Sequence, residues 1–150
     1  TETTERYLTF RTENLTFGVS TNYIIEIITN HTITAMPMVP GYVKGIINLR
    51  GKIIPVMDAR LRFKKAMREY DGRTCIIVID TNNTSIGLIV DSVSEVLAMQ
   101  DEDIAPPPDM SREKHNYIKG IGKADGNIKL LLDCQRLLND EEMEALSAIA

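Results

Sequence analysis

Gly45-Ile46-Ile47-Asn48-Leu49-Arg50-Gly51-Lys52-Ile53-Ile54-Pro55-Val56-Met57-Asp58 is the most regular stretch of the 150-residue chain. Two apolar runs of strand length flank Arg50-Gly51-Lys52, a compact turn in which Gly51 is free to take a positive φ. The stretch therefore reads as a β-hairpin. Pro55 has no amide hydrogen for a ladder, which predicts that its strand lies at an edge or is kinked there.

The same grammar extends both ways from this hairpin. Upstream, Tyr7 to Arg11 alternates, Thr12-Glu13-Asn14 turns, and Leu15 to Val19 continues the pattern. Thr21 to Ile28 is ambiguous between strand and short helix, and Ile33 to Met36 is cut short by Pro37. Downstream, Asp58 to Lys65 fits a short basic helix and Met67 to Arg73 a polar link. Thr74 to Asp80 is a nearly continuous apolar strand, turned by Thr81-Asn82-Asn83-Thr84 into Ser85 to Asp91 and then Val93 to Met99. Gln100 to Lys114, with Pro106-Pro107-Pro108, is an exposed connector. Tyr117 to Lys123 and Ile128 to Leu132 form a last hairpin. Asn139 with Glu142 makes a capping box for a C-terminal helix at about 139–149, whose stripe of Met143, Leu146 and Ile149 faces its own core.

Many short strands at even spacing favour a small β-barrel or sandwich. The two halves share one order of hairpin, strand, turn and edge, a likeness of architecture in which no residue-level repeat is detected.

Composition narrows the function. Hydrophobic residues make up 43% and charged residues 25%, with 9 Gly and 6 Pro, which excludes disorder and collagen-like sequence. Every long apolar run is broken by a charge, and the start, Thr1 to Arg6, is polar, which predicts neither membrane insertion nor a signal peptide. Residues 1–75 carry 11 Lys/Arg against 7 Asp/Glu and residues 76–150 carry 6 against 14, so +4 and −8 sum to the net charge of −4. With no Trp and 5% aromatic residues, this chain is no nucleic-acid binder, and a protein partner fits better. Cys75 and Cys134 are far apart within apolar runs, which predicts two buried reduced thiols.

Reactive constellations are missing from the pattern. His31 and His115 sit in polar turns away from any nucleophile. Gly120-Ile121-Gly122 lacks the third glycine and helix of a dinucleotide loop, and Asp101-Glu102-Asp103 lacks the spacing of a calcium loop. No catalytic residue, metal or cofactor is expected. One feature stands apart: Glu26 is the sole charge in the apolar run Tyr23 to Ile28. A buried acid calls for a partner, for which periodicity leaves Arg50 as one candidate among several.

Val43-Lys44-Gly45-Ile46-Ile47-Asn48-Leu49-Arg50-Gly51-Lys52-Ile53-Ile54-Pro55-Val56-Met57-Asp58-Ala59-Arg60-Leu61 resembles the signature of the CheW-like family. That family comprises the chemotaxis coupling protein CheW and the regulatory domain of the histidine kinase CheA. Phe17-Gly18-Val19, Ile24-Ile25-Glu26-Ile27, Ile86 to Val93, Tyr117 to Gly122 and Leu130 to Asp133 follow it in the family's order. Ala59 stands where Leu is usual, and Cys75 where Val is typical.

The resemblance implies an all-β fold with minor helix: two intertwined five-stranded SH3-like barrels sharing a hydrophobic core, plus the C-terminal helix. The expected subdomains run roughly over 15–73 and 74–133, with the termini packing across. It implies a non-catalytic cytoplasmic adaptor that links the chemoreceptor cytoplasmic tip to the regulatory domain of CheA in membrane-associated arrays. By motif position, Ile24, Glu26, Gly45, Arg50, Gly87 and Val96 line or shape a receptor-binding groove, with Glu26 and Arg50 as an ion pair. Met110, on the connector stiffened by its prolines, is expected to contact the kinase or a ring neighbour. A detached regulatory domain of a CheA-type kinase and a small-molecule-binding β-barrel are the alternatives.

Overall fold

Strand β1 (Thr4–Thr12) turns through Glu13 and Asn14 into β2 (Leu15–Ser20), the first expected hairpin. The ambiguous segment resolves into a 3-10 turn at Thr21–Tyr23 followed by β3 (Ile24–Ile28). The central hairpin is β4 (Val43–Leu49) and β5 (Lys52–Asp58), closed by the pair Leu49 and Lys52. Helix α1 is only Ala59–Arg62. Then come β6 (Cys75–Asp80), β7 (Ser85–Val90), β8 (Ser92–Gln100), the two-residue β9 (Ile104–Ala105), β10 (Ile118–Ala124) and β11 (Asn127–Leu132). These coordinates are a computed structural model that describes residues 4–29, 31–63, 66, 69–81, 84–107 and 117–137. Met110, His115 and the helix expected over 139–149 lie outside the described residues.

The strands form two sheets, ordered β8-β1-β2-β11-β10-β9 and β3-β6-β7-β5-β4. These cut across the sequence division expected at 73/74. The first sheet joins strands from both ends of the chain, and β3 pairs not with the β1–β2 hairpin that it follows but with β6. The second sheet is the contiguous run β3 to β7, which crosses 73/74, and the first joins β1 and β2 to β8 through β11. One parallel pair in each sheet, β5 with β7 or β11 with β2, links hairpins from different halves.

Three apolar clusters fill the fold. Tyr7, Met99 and Leu131 pack on the first sheet, and Ile47, Ile54, Val56, Ile76, Val78 and Ile89 on the second. The largest, with Phe10, Phe17, Val19, Met57, Ile77, Leu88 and Leu132, draws from both sheets and is the core they share. Burial of these side chains is the main term that holds the two sheets together. Phe10, Phe17, Phe63 and Tyr117 form a chain of stacked and tilted rings through it.

Register exposes a repeat that composition hid. Gly45 pairs with Val56 and Gly120 with Leu131, each after a register shift. At an offset of 75, Tyr42, Lys44, Gly45, Ile46, Gly51, Ile53 and Asp58 match Tyr117, Lys119, Gly120, Ile121, Gly126, Ile128 and Asp133. Asp58 N–H donates to the Tyr42 carbonyl and Asp133 N–H to that of Tyr117, both at 2.8 Å. A second offset, 69, relates Thr9–Gly18 to Val78–Gly87, and bulged β8 (Phe10 with Val93) to bulged β3 (Ile79 with Ile24). Each sheet thus repeats one five-strand order, with the hairpin β1–β2 of the first unit exchanged for β6–β7 of the second. The sixth strand, β9, corresponds to the single bridge of Thr34 with Ile46.

Pro55 proves to be interior, between β4 and β7, which removes the first of the two alternatives expected for its strand, an edge or a kink. Counting from the closing pair Leu49–Lys52, Ile46–Pro55 is a non-hydrogen-bonded site, and pairing with β7 begins only at Val56. No ladder bond is lost. Cys134 is buried as expected, but Cys75 is half-buried, and both are free thiols.

Candidate functional site

Arg50 sits at the tip of a two-residue turn with φ of 52°, followed by Gly51 at 87°. Two consecutive positive φ values define the type I′ hairpin turn. Gly51 N–H donates to Asn48 Oδ1 at 2.9 Å, which holds the turn from its own strand. His31 Nε2 contacts the Asn48 carbonyl at 3.0 Å, which ties this histidine to the hairpin at the surface.

From that tip the Arg50 guanidinium reaches the Glu26 carboxylate on β3, 24 residues earlier. Glu26 pairs with Val78 just after the bulge that accommodates Ile25. The acid keeps 28% of its side chain exposed and Arg50 keeps 70%, so this is a surface pair. Such pairs contribute only about 0–1 kcal/mol to folding. Beside the pair, Ile25 is 50% and Ile27 42% exposed on an edge strand of the sheet. Exposed aliphatic side chains next to an oriented charge pair are features of a protein-docking surface.

The other expected groove residues separate. Ile24 is half-buried against the shared core. Gly45 has φ of 150°, and a Cβ there would stand 2.1 Å from the Thr34 carbonyl oxygen. A Cβ at Gly87 would meet Ile76 Cγ2 at 2.8 Å and Val56 Cγ2 at 3.3 Å. Both glycines are covered by their own chain, which places them under the surface. Val96 is 52% exposed on β8, paired with Leu8 in the other sheet. Through the repeat it is the counterpart of Ile27, since Ile27 pairs with Ile77 as Val96 pairs with Leu8.

Sequence reasoning missed two polar centres. Arg60 Nε lies 2.9 and 3.1 Å from the two Asp91 carboxylate oxygens, and Nη2 lies 2.7 Å from Oδ2. Arg60 also pairs with Glu13, whose N–H donates to Asp91 Oδ2 at 2.9 Å. Hydrogen bonding to Asp91 pushes the guanidinium further above its ordinary value. Asp91 joins β7 of one sheet to β8 of the other, so this cluster pins the crossover. The second centre is Asp58, buried, which caps α1 through Arg60 N–H at 2.8 Å and accepts from Tyr70 Oη at 2.7 Å. Burial, then the hydrogen bond to Asp58, raises the Tyr70 phenol far above its usual range. The one available signal was an acid at the end of an apolar run, Asp58 as the last residue of β5 and Asp91 just after β7.

Among the described residues, no group of three His, Cys, Asp or Glu side chains stands close enough to hold a metal. No helix among them is long and apolar enough to cross a membrane.

The CheW-like domain matches residues 6–142. The chain belongs to the CheW-like family. It is 31% identical over 147 residues to the chemotaxis protein CheW of Klebsiella aerogenes, covering 97% of this chain and 89% of that protein. Identity to CheW of Rhizobium meliloti is 33% over 139 residues, covering 92% and 90%. The crystal structure of the scaffolding protein TtCheW from Thermoanaerobacter tengcongensis superposes with a TM-score of 0.86 at 30% identity, covering 93% of this chain and 96% of that one. The two-barrel, mostly β fold expected from the CheW-like signature is the one observed. The role that goes with CheW-like membership is that of a chemotaxis adaptor coupling chemoreceptors to CheA, in a family of non-catalytic adaptors.

Proposed function

We propose that this chain is a cytoplasmic adaptor that docks the helical cytoplasmic tip of a chemoreceptor on the β3 surface and presents it to the regulatory domain of CheA within a membrane-associated array. The carrying observation is the Arg50–Glu26 pair flanked by exposed Ile25 and Ile27 on an edge strand. A receptor helix offers an apolar stripe and charges at fixed spacing, and that surface offers the complement. Val96, exposed on β8 as Ile27 is on β3, is proposed as a second apolar contact in the other sheet, whereas Gly45 and Gly87 are covered by their own chain. The connector carrying Met110 is proposed as the kinase or ring contact, and the protein itself performs no catalysis.

Reconstituted receptor, CheA and this protein give the test. Glu26→Arg and Arg50→Glu should each reduce kinase activation severalfold while changing unfolding free energy by less than about 1 kcal/mol. The double reversal should recover part of the activation, because the pair is rebuilt with opposite polarity. Wild-type activation by both single variants would refute the docking surface.

A further inference from the structure

The repeat makes a second comparison possible, between the mouths of the two barrels. In the sheet that holds β3 to β7, two long cations span the mouth. Arg50 reaches Glu26, and Lys52 Nζ reaches Ser85 Oγ at 3.2 Å. At the equivalent positions of the other sheet stand Asp125 for Arg50, Asn127 for Lys52, Glu95 for Glu26 and Thr16 for Ser85. The turn backbone is the same: Asp125 has φ of 54° and Gly126 of 76°. Only the side chains differ, and the two replacements are short. The mouth stays open as a cleft of about 620 Å³ lined by Leu15, Ser94, Glu95, Ile128, Lys129 and Leu130, with Arg11 at its wall.

We propose that this cleft receives, from a partner protein, the kind of turn that the other barrel supplies to itself: a hairpin tip whose arginine pairs with Glu95. Glu95 carries no ion pair among the described residues, and Thr9 Oγ1 bonds its backbone carbonyl at 2.9 Å and its N–H at 3.2 Å, fixing where the side chain starts. Ile128, 62% exposed, is an apolar contact beside it. Arg11 and Lys129 line the same cleft and repel a bare polycation, so the fitting tip carries a carboxylate next to its arginine. A second copy of this chain fits poorly, because its Arg50 is already held by its own Glu26. The proposal rests on the adaptor reading only in expecting a protein partner, and it uses a surface separate from the Glu26–Arg50 pair.

The test is an NMR titration of the full chain with a cyclised hairpin peptide that copies residues 46–55 with Lys52→Glu. Amide shifts should move at Ser94, Glu95, Leu15 and Ile128, and the same peptide with Arg50→Asp should leave them still. Glu95→Arg should weaken binding about tenfold or more. Asp125→Arg is the sharper variant. The fold tolerates arginine at this left-handed position, as Arg50 shows, and the new side chain should pair with Glu95 and exclude the peptide. No shift at millimolar peptide, shifts confined to other surfaces, or binding unchanged in both variants would each overturn the proposal. None of these results depends on kinase activation, so failure here leaves the docking surface on β3 standing.

Discussion

The β4–β5 and β10–β11 hairpins have one backbone and two chemistries. Each closes with a left-handed pair, shifts register at a glycine, and ends on an aspartate whose N–H bonds back to a tyrosine carbonyl. At the tip, one carries Arg50 and the other Asp125. Backbone demands are few and strict, because positive φ, bulges and caps have narrow chemical solutions. The tip side chains point away from the core, and there two copies of one unit acquire different surfaces, since the fold accepts both arginine and aspartate at the left-handed position. Between them Arg62 lies 5.2 Å from the Tyr42 ring and 5.3 Å from that of Tyr117, the matched tyrosines of the two units.

The comparison is tested hardest at Gly45 and Gly120. A Cβ at Gly45 would stand 2.1 Å from the Thr34 carbonyl oxygen. One at Gly120 meets the Ile104 side chain at 2.8 Å, which can rotate, and main chain only at 3.3 Å, the Ala105 carbonyl oxygen. Gly45→Ala should cost about 3 kcal/mol or more and Gly120→Ala about 1 kcal/mol, read from urea midpoints. Equal losses would break the claim that main chain clamps the first glycine far harder than the second.

Next in size is the crossover. Arg60 binds Asp91 and Glu13, while its counterpart by the offset of 75 is Gln135, which is exposed. Asp91→Asn should lower stability by about 2 kcal/mol, since it strips a bidentate acceptor from a guanidinium only 11% exposed. Gln135→Met should stay within about 0.5 kcal/mol. A loss below that for Asp91→Asn would mean that the shared apolar core alone orients the sheets.

Much of this was legible before any coordinates. The hairpins announced themselves because alternation and turn residues act locally, and Glu26's need of a partner because an acid in an apolar run is costly alone. Arg50 as that partner came only with the CheW-like resemblance. The sheet boundaries were not legible. Strand exchange and parallel pairing are decided by contacts far apart in sequence, and periodicity says nothing about them. Ile25 and Ile27 were hidden for a related reason: an apolar residue on the exposed face of an edge strand looks like core until the sheet order is known. The repeat escaped because Gly122, Lys129 and Asp125 replace Ile47, Ile54 and Arg50, which breaks the apolar pattern between the identical positions, and because its first strands match at a different offset, 69.

Cys134 offers a smaller test, since its counterpart is Ala59 and both are buried behind the capping aspartate. Cys134→Ala should cost about 1 kcal/mol at pH 7, the loss of one buried sulfur. Burial, then the Asp133 charge, pushes the thiol up to about 12 from 9.0. The unfolded chain therefore releases this proton first as pH rises. The stability that the neutral thiol contributes is complete below about 9 and lost by about 12. The advantage of the wild type over Cys134→Ala should shrink across that window in pH-dependent urea melts. An advantage constant from pH 8 to 11 would show that the thiol ionises as readily folded as unfolded.

The smallest effect concerns Arg50 itself. A left-handed φ suits Asp125 better than arginine, because short polar side chains tolerate that region and long ones resist it. Arg50→Asn should therefore relieve strain and leave the protein level in stability or up to about 0.5 kcal/mol more stable, despite loss of the ion pair. Kinase activation in the same variant should fall, because asparagine is too short to meet Glu26 from the turn. Opposite signs for stability and coupling identify a residue kept for its surface. A clear loss of stability with coupling intact would instead make Arg50 a strut of the hairpin, and the two tips would then differ in packing and not in function.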